Sequence, residues 1–199
     1  MSITKLSSVV FLSLFTSVKA ATLFEATFEY TGNGVPNNLP SYLIQDSGND
    51  YIINQVYTTS NWDFGICNNG MQLKSIQTWP VETFGANLFS ECTNDFTIPS
   101  NSPNLDQVIN NMFGKATSFN QPLDQWDVSS VTSMAGMFSS AVSFNQPLNS
   151  WNVSSVENMG GMFFNATSFD QPLDQWDVSS VEKMVSMFIF AVSFNQSIG

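Results

Sequence analysis

The chain has 199 residues and carries 16 carboxylates against 5 basic residues, with no histidine. All of the basic residues are lysines, so a histidine base, histidine metal ligands and arginine phosphate clamps are excluded. The net charge of −11 argues against nucleic acid as a partner, because neutralising phosphates requires Lys and Arg in number.

Residues 1–20 read as a signal peptide. Lys5 supplies the positive end, Leu6 to Val18 the apolar stretch, and Val18-Lys19-Ala20 a small-residue cleavage pattern. The apolar stretch falls short of the roughly 20 residues that a bilayer span needs. Its removal leaves Lys74, Lys115 and Lys183 against the 16 carboxylates, a net charge near −13.

Residues 21–75 predict a β-rich N-terminal cap of four or five short strands. Runs such as Thr22 to Phe28 and Tyr51 to Tyr57 combine β-branched and aromatic residues between turn signals. The chain's two cysteines, Cys67 and Cys92, are expected to pair in an oxidising compartment. Closing that loop of about 26 residues is worth on the order of 3 kcal/mol. The other reading is a small buried role, since Cys92 aligns with Ala141 and Ala166 of later repeats.

Residues 76–111 form a degenerate opening repeat. Ile76, Trp79 and Val81 echo Leu123, Trp126 and Val128, while Leu88-Phe89 echoes Met137-Phe138. Residues 112–199 are a regular 25-residue repeat array that stops within its fourth copy. Met112-Phe113, Met137-Phe138, Met162-Phe163 and Met187-Phe188 align, as do Phe119, Phe144, Phe169 and Phe194, and Trp126, Trp151 and Trp176. The copies beginning at Met112 and Met162 share 18 of 25 positions. A fixed period of this length predicts a solenoid, in which a unit buries its apolar face only by stacking on its neighbours.

Within a unit, Leu123-x-x-Trp126-x-Val128 predicts a short strand with Trp126 and Val128 on one face. Val131, Met134, Met137, Phe138 and Ala141 recur at three and four residues, which predicts a short amphipathic helix. Ser154-x-x-Glu157 and Ser179-x-x-Glu182 read as its capping boxes, with Ser129 the matching cap in the first copy. Asn145-Gln146-Pro147 and its counterparts turn the chain toward the next strand. The expected fold is therefore an α/β solenoid, a right-handed leucine-rich-repeat-like stack of short parallel strands and short helices behind a β-rich N-terminal region.

The unit Met-Phe-x-x-Ala-x-Ser-Phe-Asn/Asp-Gln-Pro-Leu-x-x-Trp-Asp/Asn-Val-Ser-Ser-Val-x-x-Met closely resembles the BspA-like leucine-rich repeats of bacterial and protist surface proteins. The resemblance covers Ile76 to Gly199. It implies parallel strands on a concave side, helical turns on a convex side, a secreted or cell-surface location, and adhesion to host or matrix components. The stop at Ile198-Gly199 departs from the family pattern. It reads as a fragment of a longer protein, or as an open apolar end that invites another chain.

Opposite the buried Trp column, the solvent-facing columns of the concave face are expected to be Gln125, Ser150 and Gln175, and Asp127, Asn152 and Asp177. The Asn in the middle copy relieves the repulsion of an unbroken Asp ladder, because the two Asp lie about 10 Å apart, near the Debye length. The strip suits hydrogen bonding to a glycan or a basic protein segment; the plain alternative is a solvated face. No metal site is expected, since carboxylates so spaced cannot share a calcium ion. A regular ice-binding face is disfavoured, because Thr117 and Thr167 alternate with Val142 and Val192 in one column. N-glycosylation sequons stand at Asn152, Asn165 and Asn195, and a glycan on Asn152 would cover the strip.

These readings converge on a non-enzymatic binding protein, secreted or on the extracellular cell surface, with no cofactor and a glycan or extracellular protein as ligand. One alternative is a structural protein that self-associates through its open C-terminal end. Another is a carbohydrate-active enzyme with paired Asp residues, against which the array shows no symmetry-breaking insertion.

Overall fold

The computed structural model describes residues 25–30, 43–45, 50–53, 67, 71–79 and 83–198. The signal segment 1–20 lies outside the described residues. Strands β1 (Glu25–Tyr30), β2 (Leu43–Gln45), β3 (Asp50–Ile53) and β4 (Met71–Thr78) form one antiparallel sheet in the order β2-β3-β1-β4. Two-residue strands β5 (Thr83–Phe84) and β6 (Asn104–Leu105) pair in parallel.

The sheet is tied to the opening repeat in three ways. The Ile76 N–H donates to the Thr97 carbonyl at 2.7 Å. The Asn94 amide donates to the Leu73 carbonyl at 2.6 Å. The Cys67–Cys92 disulfide, with Cα atoms 5.0 Å apart, joins the same two regions and puts Cys92 in the small buried column above Ala116 and Ala141.

From residue 86 onward the chain coils, and successive coils stack by backbone hydrogen bonds: a ladder given forward, and a shorter return set in which Thr132, Glu157 and Glu182 N–H donate back to the Gln107, Thr132 and Glu157 carbonyls at 2.7–2.8 Å. The N–H groups of Met134, Gly136, Phe138 and Ser140 donate to the carbonyls of Asn158, Gly160, Met162 and Phe164 at 2.7–3.0 Å. Met159, Gly161, Phe163 and Asn165 repeat this onto Lys183, Val185, Met187 and Ile189. The intervening N–H groups close tight turns within their own coil, as Met137 does on Met134 and Ala141 on Phe138. In this segment every second N–H belongs to the next coil, so the forward set of bonds is made only when a neighbour is present.

Here the structure differs from the expected helix. No helix occurs among the described residues, and residues 135–140 run as consecutive turns after the bridge residue Ser133. Left-handed residues recur twice per coil, at Gly136 (φ 64°) and Ser140 (φ 59°), and again at Gly161 and Asn165. An α-helix cannot pass through such residues, whereas a string of tight turns uses them to redirect alternate N–H groups. The apolar spacing of three and four arises equally well from turns that close at that interval. Nor is Leu123–Val128 a strand: it is another turn, closed by Trp126 N–H on the Leu123 carbonyl at 3.0 Å. Parallel bridges instead join Val108, Ser133, Asn158 and Lys183 in a column, and Leu173 to Ile198.

The core is a stack of aromatic columns. Phe113, Phe138, Phe163 and Phe188 follow one another at 5.5–5.6 Å between ring centroids, with interplanar angles of 7–10°. Phe119, Phe144, Phe169 and Phe194 do the same at 5.9–6.0 Å. Within a coil, Phe138 lies 4.0 Å from Phe144. The Leu, Trp, Val, Met and Ala columns complete an interior that is continuous from Cys67 to Met187. Glycine suits position 136 by its positive φ, and a Cβ there would displace the Asn111 side-chain oxygen of the previous coil.

The buried indoles locate a fault at the junction. Trp151 and Trp176 donate to the Leu123 and Leu148 carbonyls at 2.8 and 2.9 Å, and Trp79 donates to Asn101 at 2.7 Å. Trp126 Nε1 is buried with no partner among the described residues. The ladder between the opening repeat and the first regular coil runs at an offset of 23 residues (Asn87 to Asn110), against 24 elsewhere. Replacing Trp126 with Phe removes an unsatisfied donor, whereas Trp151→Phe removes a made bond. Trp151→Phe should therefore be more destabilising by about 1–3 kcal/mol, read from urea unfolding of the two variants.

Candidate binding surface

The polar columns are built from Asx turns on the outside of the buried Trp column. Asp127 Oδ1 accepts from the Ser129 N–H at 3.0 Å and the Ser129 hydroxyl at 2.6 Å. Asn152 Oδ1 accepts from Ser154 N–H and Oγ at 3.2 and 2.8 Å, and Asp177 Oδ1 from the Ser179 N–H at 3.1 Å. Ser129, Ser154 and Ser179, expected as helix caps, thus donate backward into a turn, and no helix follows them.

Asp127, Asn152 and Asp177 are all exposed, as are Gln125, Ser150 and Gln175. The structure keeps these residues in coil-to-coil register through their neighbours. The Ser150 hydroxyl donates to the Asp124 carbonyl, Gln175 N–H to Asn149 Oδ1 at 3.0 Å, and Asn149 Nδ2 to Asp174 Oδ1 at 2.9 Å. Gln125 donates sideways to Asp124 at 2.7 Å. The strip stands on turns rather than on the parallel strands expected of a concave face.

The Ser129 hydroxyl, and then its N–H, hold the Asp127 carboxyl below the usual aspartate range. Ser179, by side chain and then backbone, lowers Asp177. Asp170 is lowered by the Gln196 amide and then the Asn195 N–H, both from the following coil. That last contact belongs to a side-chain ladder missed in the sequence. Asn120 Oδ1 accepts from Asn145 N–H and Gln146 Nε2 at 2.9 and 3.0 Å; Asn145 serves Asp170 and Gln171 alike, and Asp170 serves Asn195 and Gln196. The recurrence of Asn/Asp-Gln in every copy was the available signal. A turn needs only one of the two residues, whereas a coil-to-coil clamp needs both.

Of the sequon residues, Asn152 and Asn195 are exposed. Asn165 is half-buried in a left-handed conformation, with its Nδ2 3.3 Å from the Ser140 hydroxyl. Among the described residues no three His, Cys, Asp or Glu side chains converge as metal ligands, and no helix is long and apolar enough to cross a membrane.

Residues 83–199 match the family described as Mycoplasma protein of unknown function, DUF285. No curated protein and no solved structure matches the chain.

Because the folded-state pKa of Asp127 is depressed, its bond to Ser129 contributes stability above the ordinary aspartate value of about 3.9, and that contribution is lost as pH falls through the lower folded value. Ser129→Ala should move the Asp127 titration upward toward the ordinary value, followed by carboxyl carbon chemical shifts. An unmoved titration would mean that the hydroxyl does not hold the carboxylate.

Proposed function

The chain belongs to the DUF285 family, and from that premise we propose that it is a non-enzymatic secreted or cell-surface protein that binds a glycan or an extracellular protein through its polar strip. We propose equally that its repeats form a leucine-rich-repeat-like solenoid related to BspA-like surface proteins, with tight turns where helices are expected. The Cys67–Cys92 disulfide supports an oxidising compartment outside the cytoplasm.

One observation carries the binding role. Asp127, Asn152 and Asp177 are exposed on successive coils with their side chains held by Asx turns, so a ligand meets hydrogen-bonding groups that are already ordered. Pre-ordering matters because immobilising a free polar side chain at an interface costs about 0.5–1.5 kcal/mol. The Oδ1 atoms are committed to the turns, which leaves the second carboxylate oxygens and the Asn152 amide for a ligand. Alternating acceptors with an amide donor on a regular spacing suits the hydroxyls of a sugar chain, or the amides and lysines of an extended peptide.

The chain from Ala21 onward is tested on glycan and matrix-protein arrays at low and high salt. Saturable binding is expected, weakened at least about tenfold by replacing Asp127 and Asp177 with Ala. Binding that survives both replacements unchanged would remove the strip from the function.

A further inference from the structure

Three residues of the polar strip occupy one position of the repeat, yet only the middle one is an amide. Asp127-Val128-Ser129 and Asp177-Val178-Ser179 become Asn152-Val153-Ser154 in the coil between them. All three make the same Asx turn, in which the side-chain Oδ1 accepts from the N–H two residues on. The turn therefore holds either residue type, and the amide brings a nitrogen for which the turn has no use. Asn152 is exposed, its Oδ1 takes both Ser154 bonds, and its Nδ2 donates to nothing among the described residues. The same change makes an N-glycosylation sequon, an amide followed two residues later by a hydroxyl.

Asn165-Ala166-Thr167 meets the same sequence rule in opposite surroundings. Asn165 is half-buried and left-handed at φ 54°, and its N–H belongs to the ladder, donating to the Ile189 carbonyl at 2.7 Å. Its Nδ2 donates to the Ser140 hydroxyl of the previous coil at 3.3 Å, and the Thr167 hydroxyl donates to the Val142 carbonyl at 3.3 Å. Both groups of this sequon thus join one coil to another. A bulky substituent on Asn165 Nδ2 displaces the Ser140 contact, whereas one on Asn152 Nδ2 displaces nothing.

We propose that Asn152, and not Asn165, carries an N-linked oligosaccharide; this rests on the secreted location proposed above, and not on the binding role of the strip. The co-reactant is a lipid-pyrophosphate-linked oligosaccharide, supplied with its transferase by the secretory compartment. The bond from Nδ2 to the first sugar's C1 forms, the C1–O bond to pyrophosphate breaks, and the amide gives up one proton as the lipid pyrophosphate leaves. The sugar is attached as the chain enters that compartment, and the fold that follows must accommodate it. At Asn152 it does so with both bonds to Oδ1 intact. The sugar then stands between Asp127 and Asp177, so the modified chain presents the strip closed and the unmodified chain presents it open.

The full chain, with residues 1–20, is expressed in a eukaryotic secretory cell and recovered from the medium. Enzymatic release of N-glycans in heavy-oxygen water converts each occupied Asn to a labelled Asp. Cleavage after Glu157 puts the two sequons on separate peptides for mass measurement. The label is expected at Asn152 and absent at Asn165. Asn152→Asp, which copies the coils on either side and so keeps the turn, should abolish it. An exported chain unlabelled at Asn152, or labelled at Asn165, would overturn the proposal. A chain that keeps residues 1–20 and stays in the cytosol would instead remove the secreted location, and this proposal with it.

Discussion

Each coil of the array hands the next a row of backbone N–H groups and a pair of phenylalanine rings, and neither is satisfied without a neighbour. The rings of Phe138 and Phe144 lie 4.0 Å apart within their coil, and each meets its counterpart in the following coil at 5.6–6.0 Å. Burying an aromatic side chain is worth about 2–3 kcal/mol, while ordering the backbone costs roughly 1–2 kcal/mol per residue. A lone unit that exposes both faces of its rings and its four forward-pointing N–H groups falls well short. Stability therefore lies in the junctions between coils, which makes the array a nearest-neighbour system.

The outer surface inherits its order from that interior. Because backbone bonds fix each coil's offset at 24 residues and the Asn/Asp-Gln clamp fixes it again on the outside, exposed residues 25 apart are held in columns without touching. Asp127 and Asp177 are then separated by Asn152, and each is set in its turn by the serine two residues on. The same register that buries the Trp column displays the polar one. The cost falls at the opening repeat, where the offset drops to 23 and Trp126 is left with a bare indole N–H among the described residues.

What the sequence makes legible is the period and the identity of the inward columns. Phe113, Phe119, Leu123 and Trp126, with their counterparts in the next two copies, are buried to within a few per cent. Internal repetition prescribes this whatever the local backbone. The backbone itself is not legible, because apolar residues at three and four positions mark both a helix and a run of tight turns. The discriminating residues, Gly136 and Ser140, change identity from copy to copy: Asn111, Gly161 and Ser186 share the first position, and Lys115, Asn165 and Phe190 the second. A left-handed site filled by Gly in only two of four coils leaves no clean signature. Likewise Ser154-x-x-Glu157 carries the residue types of a helix cap, yet Asn152, two residues earlier, captures the serine first. The polar columns were legible as exposed, but not their seat on turns, since that depends on which segment carries the ladder.

Hydrogen-bond scalar couplings in a uniformly labelled chain test the account most directly. The coil-to-coil ladder requires couplings from the Phe138 nitrogen to the Met162 carbonyl carbon and from Gly136 to Gly160, 24 residues away in each case. Couplings from Phe138 to Met134 and from Ala141 to Met137, each about four residues back along the chain, would instead mean a helix in each repeat. That result would contradict the ladder.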